Sequence, residues 1–178
     1  MQYIVLLRGI NVSGQKKIKM EDLRAMCTNI GCENVKTYIQ SGNLVLESSA
    51  TSTTAIAEEI HQALQTTFGF DIPVMAFKAE AWQTTLDYNP FLEADSTIDI
   101  KHLLVTFLDE EPTVENLAKV AAIKSGADQW KLVDNRIYLY CPNGYGRSKL
   151  TNTVLEQKLK VRATTRNWRS IHKIHALL

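Results

Sequence analysis

The chain has 178 residues, 45% hydrophobic and 22% charged, with 8 Gly and 4 Pro, which excludes disordered and fibrous classes and leaves ample material for a packed core. The net charge of +1 hides an asymmetry, because Asp87 to Glu115 holds eight acids against Lys101 while Lys149 to Leu178 holds seven bases against Glu156. Such polarity either steers an anionic partner to the basic end or forms two ordinary solvated faces.

Apolar runs are strand-sized, far below the roughly 20 residues of a membrane span. The opening MQYIVLLRGINVSG has neither the cationic start nor the long apolar core of an export signal. The expectation is a cytoplasmic protein with no membrane association. Cys27, Cys32 and Cys141 form no CxxC pair and read as reduced thiols; Cys27 on an apolar helix face and Cys141 at a strand end suit small hydrophobes, with a nucleophile as the alternative.

Tyr3 to Arg8 is an apolar run of strand length, followed by the polar loop Gly9 to Lys17. Met20, Leu23, Met26, Cys27 and Ile30 line one helical face, which Gly31 stops. Val35 to Gln40 and Leu44 to Glu47 read as two strands joined through Ser41-Gly42-Asn43, where Gly and Asn accept positive φ. A helix over Thr53 to Phe68 carries the stripe Ile56, Ile60, Ala63, Leu64, Phe68, with Ser52 or Thr53 as N-cap. A strand over Ile72 to Phe77 and a short helix over Ala79 to Tyr88 follow, and Asn89-Pro90 ends that helix.

The order then repeats. Leu103 to Leu108 reads as a strand, and a helix opens near Pro112 with Val114, Leu117, Ala118 and Ala121 on one face. Strands Gln129 to Val133 and Arg136 to Cys141 turn at Asp134-Asn135. A helix over Lys149 to Leu159, a strand over Val161 to Thr165 and a last helix from about Trp168 complete it. Trp168 should pack, since Ile171 and Ile174 continue its face. A βαββαβ order with a central hairpin is the split-βαβ pattern. The fold class is therefore α+β, as two tandem ferredoxin-like units of βαββαβ plus an extra helix. The polar stretch Asn89 to Asp99 serves as the linker, giving units 1–94 and 95–178.

Four polar loops combine glycine, a cation and small hydrogen-bonding side chains: Arg8-Gly9-Ile10-Asn11, Ser41-Gly42-Asn43, Gly144 to Lys149, and Arg166-Asn167-Trp168-Arg169. Glycine lets backbone N–H groups approach an anion, and a helix beginning at Ser148 or Lys149 would aim its positive end there. The candidate ligand-binding residues are Arg8, Asn11, Ser41, Asn43, Arg147, Ser148, Lys149, Arg166 and Asn167. Turn formation by Asn11 and Asn43, helix capping by Ser148 and a structural ion pair for Arg8 account for the same residues without a ligand. No P-loop is present, because Gly146 is followed by Arg147-Ser148-Lys149.

His172 and His175 lie three apart with no acid or cysteine to complete a metal site, and His61 and His102 sit within apolar patterns. No cofactor or metal is expected. Tyr138 and Tyr140 alternate on one strand and face away from the helices, which suits either base stacking or packing between sheet faces.

The segments LLRGINVSG, KIKMEDLR, TYIQSGNLVLES, NPF, YGRSKLTN and ATTRNWRS together resemble a bacterial family filed as a domain of unknown function, number 1697. The resemblance covers essentially the whole chain and implies two ferredoxin-like α+β units in the bacterial cytosol, without an activity. The family's recurring polar positions fall on Arg8, Gly9, Asn11, Ser41, Gly42, Asn43, Gly146, Arg147, Ser148, Lys149, Arg166 and Asn167, and its usual GG is replaced by Ser13-Gly14.

The leading expectation is a binding protein holding an anionic ligand, a phosphorylated small molecule or nucleic acid, in an interdomain groove, where Arg8 and Arg147 approach one another. The alternatives are an enzyme acting on a phosphorylated substrate, which lacks an evident general base in these loops, and a protein-interaction module using Tyr138 and Tyr140. The sequence leaves the oligomeric state open.

Overall fold

The computed structural model describes residues Met1–Leu178, which form a mixed α+β fold with two four-stranded antiparallel sheets and six α-helices. The chain divides into two compact units, Met1–Leu86 with His172–Leu178, and Asp87–Ile171.

In the first unit the elements run β1 (Gln2–Leu7), α1 (Met20–Asn29), β2 (Glu33–Tyr38), β3 (Asn43–Glu47), α2 (Thr53–Phe68), β4 (Val74–Lys78) and α3 (Ala79–Asp87). The sheet order is β2-β3-β1-β4. In β1, Tyr3, Val5 and Leu7 meet Leu23, Met26 and Cys27 of α1 and Ile56, Ile60 and Leu64 of α2 in one core. The period-2 alternation of a strand sends Ile4 and Leu6 to the opposite face, and they too are fully buried. That double burial explains why the strand reads as an unbroken apolar run rather than an alternating one.

In the second unit β5 (Leu103–Leu108), α4 (Val114–Ala121), β6 (Gln129–Val133), β7 (Arg136–Tyr140), α5 (Asn152–Leu159), β8 (Ala163–Asn167) and the start of α6 (Trp168–His175) follow the same order, with sheet order β6-β7-β5-β8. Leu104, Leu108, Ile137, Leu139 and Ala163 pack with Val120, Leu155 and Leu159. Leu103, Val105 and Phe107 on the other face are also buried. By position, β1 corresponds to β5 and β3 to β7, since each pair occupies the same place in its sheet and pairs antiparallel.

Helix ends follow local chemistry. Ser52 accepts from Ala55 N at 3.0 Å, Thr113 from Asn116 N at 3.3 Å and Thr151 from Val154 N at 3.3 Å, each satisfying an orphan donor of the first turn. Gly69, at φ +72°, closes α2 in the left-handed conformation. The expected helix over Lys149 to Leu159 begins later, at Asn152. Tyr145–Arg147 form a 3-10 turn instead, and the extended Ser148 separates the two.

Trp168 is 2% exposed, with its ring 6.3 Å from that of Tyr138, and Ile171 and Ile174 beside it in sequence are fully buried. Replacing Trp168 with alanine should cost about 3–5 kcal/mol of chain stability, the usual range for an emptied aromatic site, read as a shift of the urea midpoint. Gly42 is the tighter constraint. At φ +76°, a Cβ there would lie 2.6 Å from Leu7 Cβ and 3.0 Å from Ile10 Cδ1, whereas one at Gly9, φ +73°, would meet nothing within 4 Å. Gly42→Ala should therefore destabilise by about 3 kcal/mol through strain plus overpacking, and Gly9→Ala by only about 1–2 kcal/mol. Equal midpoints for the two variants would contradict this reading.

Candidate functional site

The loop leaving β1 and the β2–β3 turn are built as one piece. Leu7 N donates to Gly42 O at 2.7 Å, and Arg8 N to Pro73 O at 3.0 Å. The Asn11 amide donates to Ile18 O at 2.9 Å and Gln40 O at 2.8 Å, while its oxygen accepts from Ile18 N at 2.9 Å. Asn43 is fully buried, and its amide donates to Tyr38 O at 3.0 Å and Ser41 Oγ at 2.9 Å. Asn11 and Asn43 thus serve their own loops, the structural role the sequence offered beside the ligand role. Arg8 is half-buried at the end of β1.

One feature of this turn has no sequence signal. Ile39 takes φ +47° and is 52% exposed, a costly conformation for a β-branched residue. It reads in sequence as a continuation of the strand, which is why that strand was expected to reach Gln40 and ends at Tyr38. Beside it a groove of about 530 Å³ is lined by Asn11, Gly14, Lys17, Lys19, Asp22, Gln40 and Phe68. Lys17 and Lys19 fall outside the expected site residues, although the run QKKIK marked them as cations.

In the second unit the Gly144–Lys149 loop is fixed from below. Tyr145 packs on the core, and its hydroxyl accepts from Asn152 N at 2.8 Å. The Asn152 side chain accepts from Thr165 Oγ1 at 2.9 Å and donates to Ala163 O at 3.0 Å. Thr165 in turn shares a 2.8 Å hydrogen bond with Thr106. Buried Ser148 accepts from Leu150 N at 2.9 Å and bonds the Cys141 thiol, which burial raises to about 11 against that bond. Two of the first backbone donors of α5, Asn152 N and Val154 N, are thereby taken by Tyr145 and Thr151.

Arg147 and Lys149 are different. Both are exposed at the surface of this fixed loop, and neither side chain takes part in a hydrogen bond or ion pair of the fold. Asn167 is exposed at the end of β8. Arg166 is buried, and burial lowers its guanidinium to about 10; its Nη1 donates to Thr164 Oγ1 at 2.8 Å and Thr165 O at 2.9 Å. Strand alternation puts it on the face opposite Thr165 and the Asn152 network.

The tyrosines of β7 are not a displayed stacking platform. Tyr138 is buried, and desolvation pushes its hydroxyl up to about 12. The Tyr140 ring lies 5.9 Å from Phe91, whose face in turn carries Lys131 Nζ at 5.2 Å. No group of three or more His, Cys, Asp or Glu is placed to hold a metal ion, and no helix is long and apolar enough to cross a membrane.

No functionally curated protein matches the chain. Among solved structures, the conserved bacterial protein SP0830 from Streptococcus pneumoniae is similar at a TM-score of 0.78 and 24% identity, with 99% of this chain and 97% of that one covered. That likeness carries the fold. LLRGIN and IQSGN lie in the tied loops of the first unit and YGRSKLTN at the Gly144–Lys149 loop of the second, whereas ATTRNW, expected to include a polar loop over Arg166 to Arg169, is β8 running directly into α6. The pattern of a family described as protein of unknown function, DUF1697, matches residues 1–138, and the chain belongs to that family.

Proposed function

We propose that the chain is a binding protein for an anionic, phosphate-bearing ligand, recognised first by Arg147 and Lys149. The observation that carries this reading is a loop held by buried hydrogen bonds that displays two cations with no partner in the fold. A fixed loop loses little conformational freedom on binding, so more of the charge-assisted hydrogen bonding appears as affinity. Arg8, Arg166 and Asn167 belong to the proposal on their sequence setting. Asn11, Ser41, Asn43 and Ser148 support it as positioning residues.

The wider reading is of a tandem repeat of two ferredoxin-like units, with the sequence boundary near residue 95, acting in the bacterial cytoplasm. The shared sheet order supports the repeat. An enzyme acting on a phosphorylated substrate is the second reading, and the absence of any acid or histidine from Gly144 to Lys149 weighs against it. An interaction module through Tyr140 has less support, because that ring is already engaged by Phe91.

Titration with inorganic phosphate, a nucleoside diphosphate and a short single-stranded oligonucleotide tests the proposal. Arg147→Ala and Lys149→Ala should each weaken binding about tenfold, with stability unchanged within about 0.5 kcal/mol. Asn11→Ala should cost about 2–4 kcal/mol of stability for its three lost bonds. If a nucleic acid is the ligand, log affinity falls with log salt at a slope of roughly −0.7 per phosphate contacted on a single strand; a small phosphate ester gives a shallow slope. Binding that persists in the Arg147→Ala, Lys149→Ala double variant would sink the assignment, and binding lost on Arg8→Ala with the fold intact would place Arg8 in the site.

A further inference from the structure

We propose that Cys27 and Cys32 form an oxidisable dithiol, which closes to a disulfide across the C-terminal turn of α1. The helix ends with Gly31 at φ +89°, while Cys32 N donates to Cys27 O and Gly31 N to Thr28 O, both at 3.0 Å. This pair of bonds defines a Schellman ending, in which the side chains bracketing the turn meet on the apolar side. Here both of those side chains are thiols.

The hydrogen bond also limits their separation. Standard geometry puts Cα about 2.4 Å from its own carbonyl oxygen and about 1.46 Å from its own nitrogen. Adding the 3.0 Å between donor and acceptor holds the two Cα atoms within about 7 Å at most. Bridged cysteines occupy roughly 4.4–6.8 Å, so little or no backbone movement is needed. Both residues lie in the core cluster of the first unit, whereas Cys141 lies in that of the second.

Independent of the backbone, each thiol is subject to its neighbours. Burial pushes Cys27 up to about 12, with Cys32 adding to the rise, and burial and then Glu59 of α2 raise Cys32. Few thiolates are therefore present at neutral pH, and the pair reacts slowly. It answers sustained rather than brief exposure to oxidant.

With hydrogen peroxide as oxidant, the Cys32 sulfur attacks one peroxide oxygen, the O–O bond breaks, and Cys32 sulfenic acid and water form. The Cys27 sulfur then displaces a second water from that sulfenic sulfur, forming the S–S bond. Two thiols lose two electrons and two protons in all, and the peroxide becomes two waters.

The test uses the full reduced chain, treated with hydrogen peroxide while folded, then alkylated in denaturant and digested with trypsin. Cleavage after Arg24 and Lys36 leaves both cysteines on the single fragment Ala25–Lys36. The expected product is that fragment unalkylated and lighter by two hydrogens, converted to the doubly alkylated form by prior reductant. A Cys141→Ser variant should behave identically, and near-ultraviolet circular dichroism should remain native throughout. Double alkylation after prolonged peroxide, oxygen added to one cysteine alone, or closure only after loss of the native dichroism would overturn the proposal. Should Cys32→Ser fold, it should lose the two-hydrogen product completely; should it not, the wild-type fragment alone decides.

Discussion

The central strand of each sheet is buried on both faces, and most of the polar architecture depends on that constraint. A strand so enclosed must end in a loop that satisfies its own backbone groups, because an unpaired buried N–H or C=O costs as much as a lost hydrogen bond. The first unit meets the need with the Asn11 amide, which ties Ile18 and Gln40 together, and with Gly42, whose missing side chain admits Leu7 and Ile10. The second uses the chain of contacts from Thr106 through Thr165 and Asn152 to the Tyr145 loop. Similar sheets thus carry different polar locks.

Those locks divide the polar motif residues into two groups. Asn11, Asn43 and Ser148 direct their hydrogen-bonding atoms inward, so their presence follows from folding alone. Arg147 and Lys149 contribute nothing comparable to the fold, and the loop beneath them is nonetheless fully tied down. The proposed anion site rests on the second group, whose charges are exposed and unpaired on a loop that the fold holds in place.

Much of this fold was legible because its signals are local. The Thr53–Phe68 helix, with its Ser52 cap, and the strands Leu103–Leu108 and Gln129–Val133 appear at the bounds their patterns indicated. Boundaries were missed where tertiary contacts override pattern. Ile39 looks like strand but turns under the pull of the Asn43 amide on Tyr38. Lys149 to Thr151 carry helix-compatible residues, yet buried Ser148 and Leu150 hold them outside the helix. The site was half legible: glycine and small polar residues marked the loops, but nothing in the sequence distinguishes an asparagine turned inward from one turned outward.

The charge asymmetry finds a partial answer by the same route. Asp99, from the acidic stretch, faces Lys101 at 2.9 Å and Arg169 at 3.9 Å, and the Lys101 backbone N–H holds its carboxyl below the usual range, with those cations adding to the effect. Asp109 receives the backbone N–H of Arg162 at 2.9 Å. These are exposed contacts in high dielectric, where an ion pair is worth little, but they engage acids with the basic C-terminal stretch inside one unit. The pairing does not extend to Arg147 and Lys149. Lys158 and Lys160 of the second unit are likewise exposed and outside any ion pair, and Arg162 gives Asp109 only its backbone N–H, so the basic charge left after local pairing is spread along the C-terminal stretch, and what sets Arg147 and Lys149 apart is the hydrogen-bonded loop beneath them.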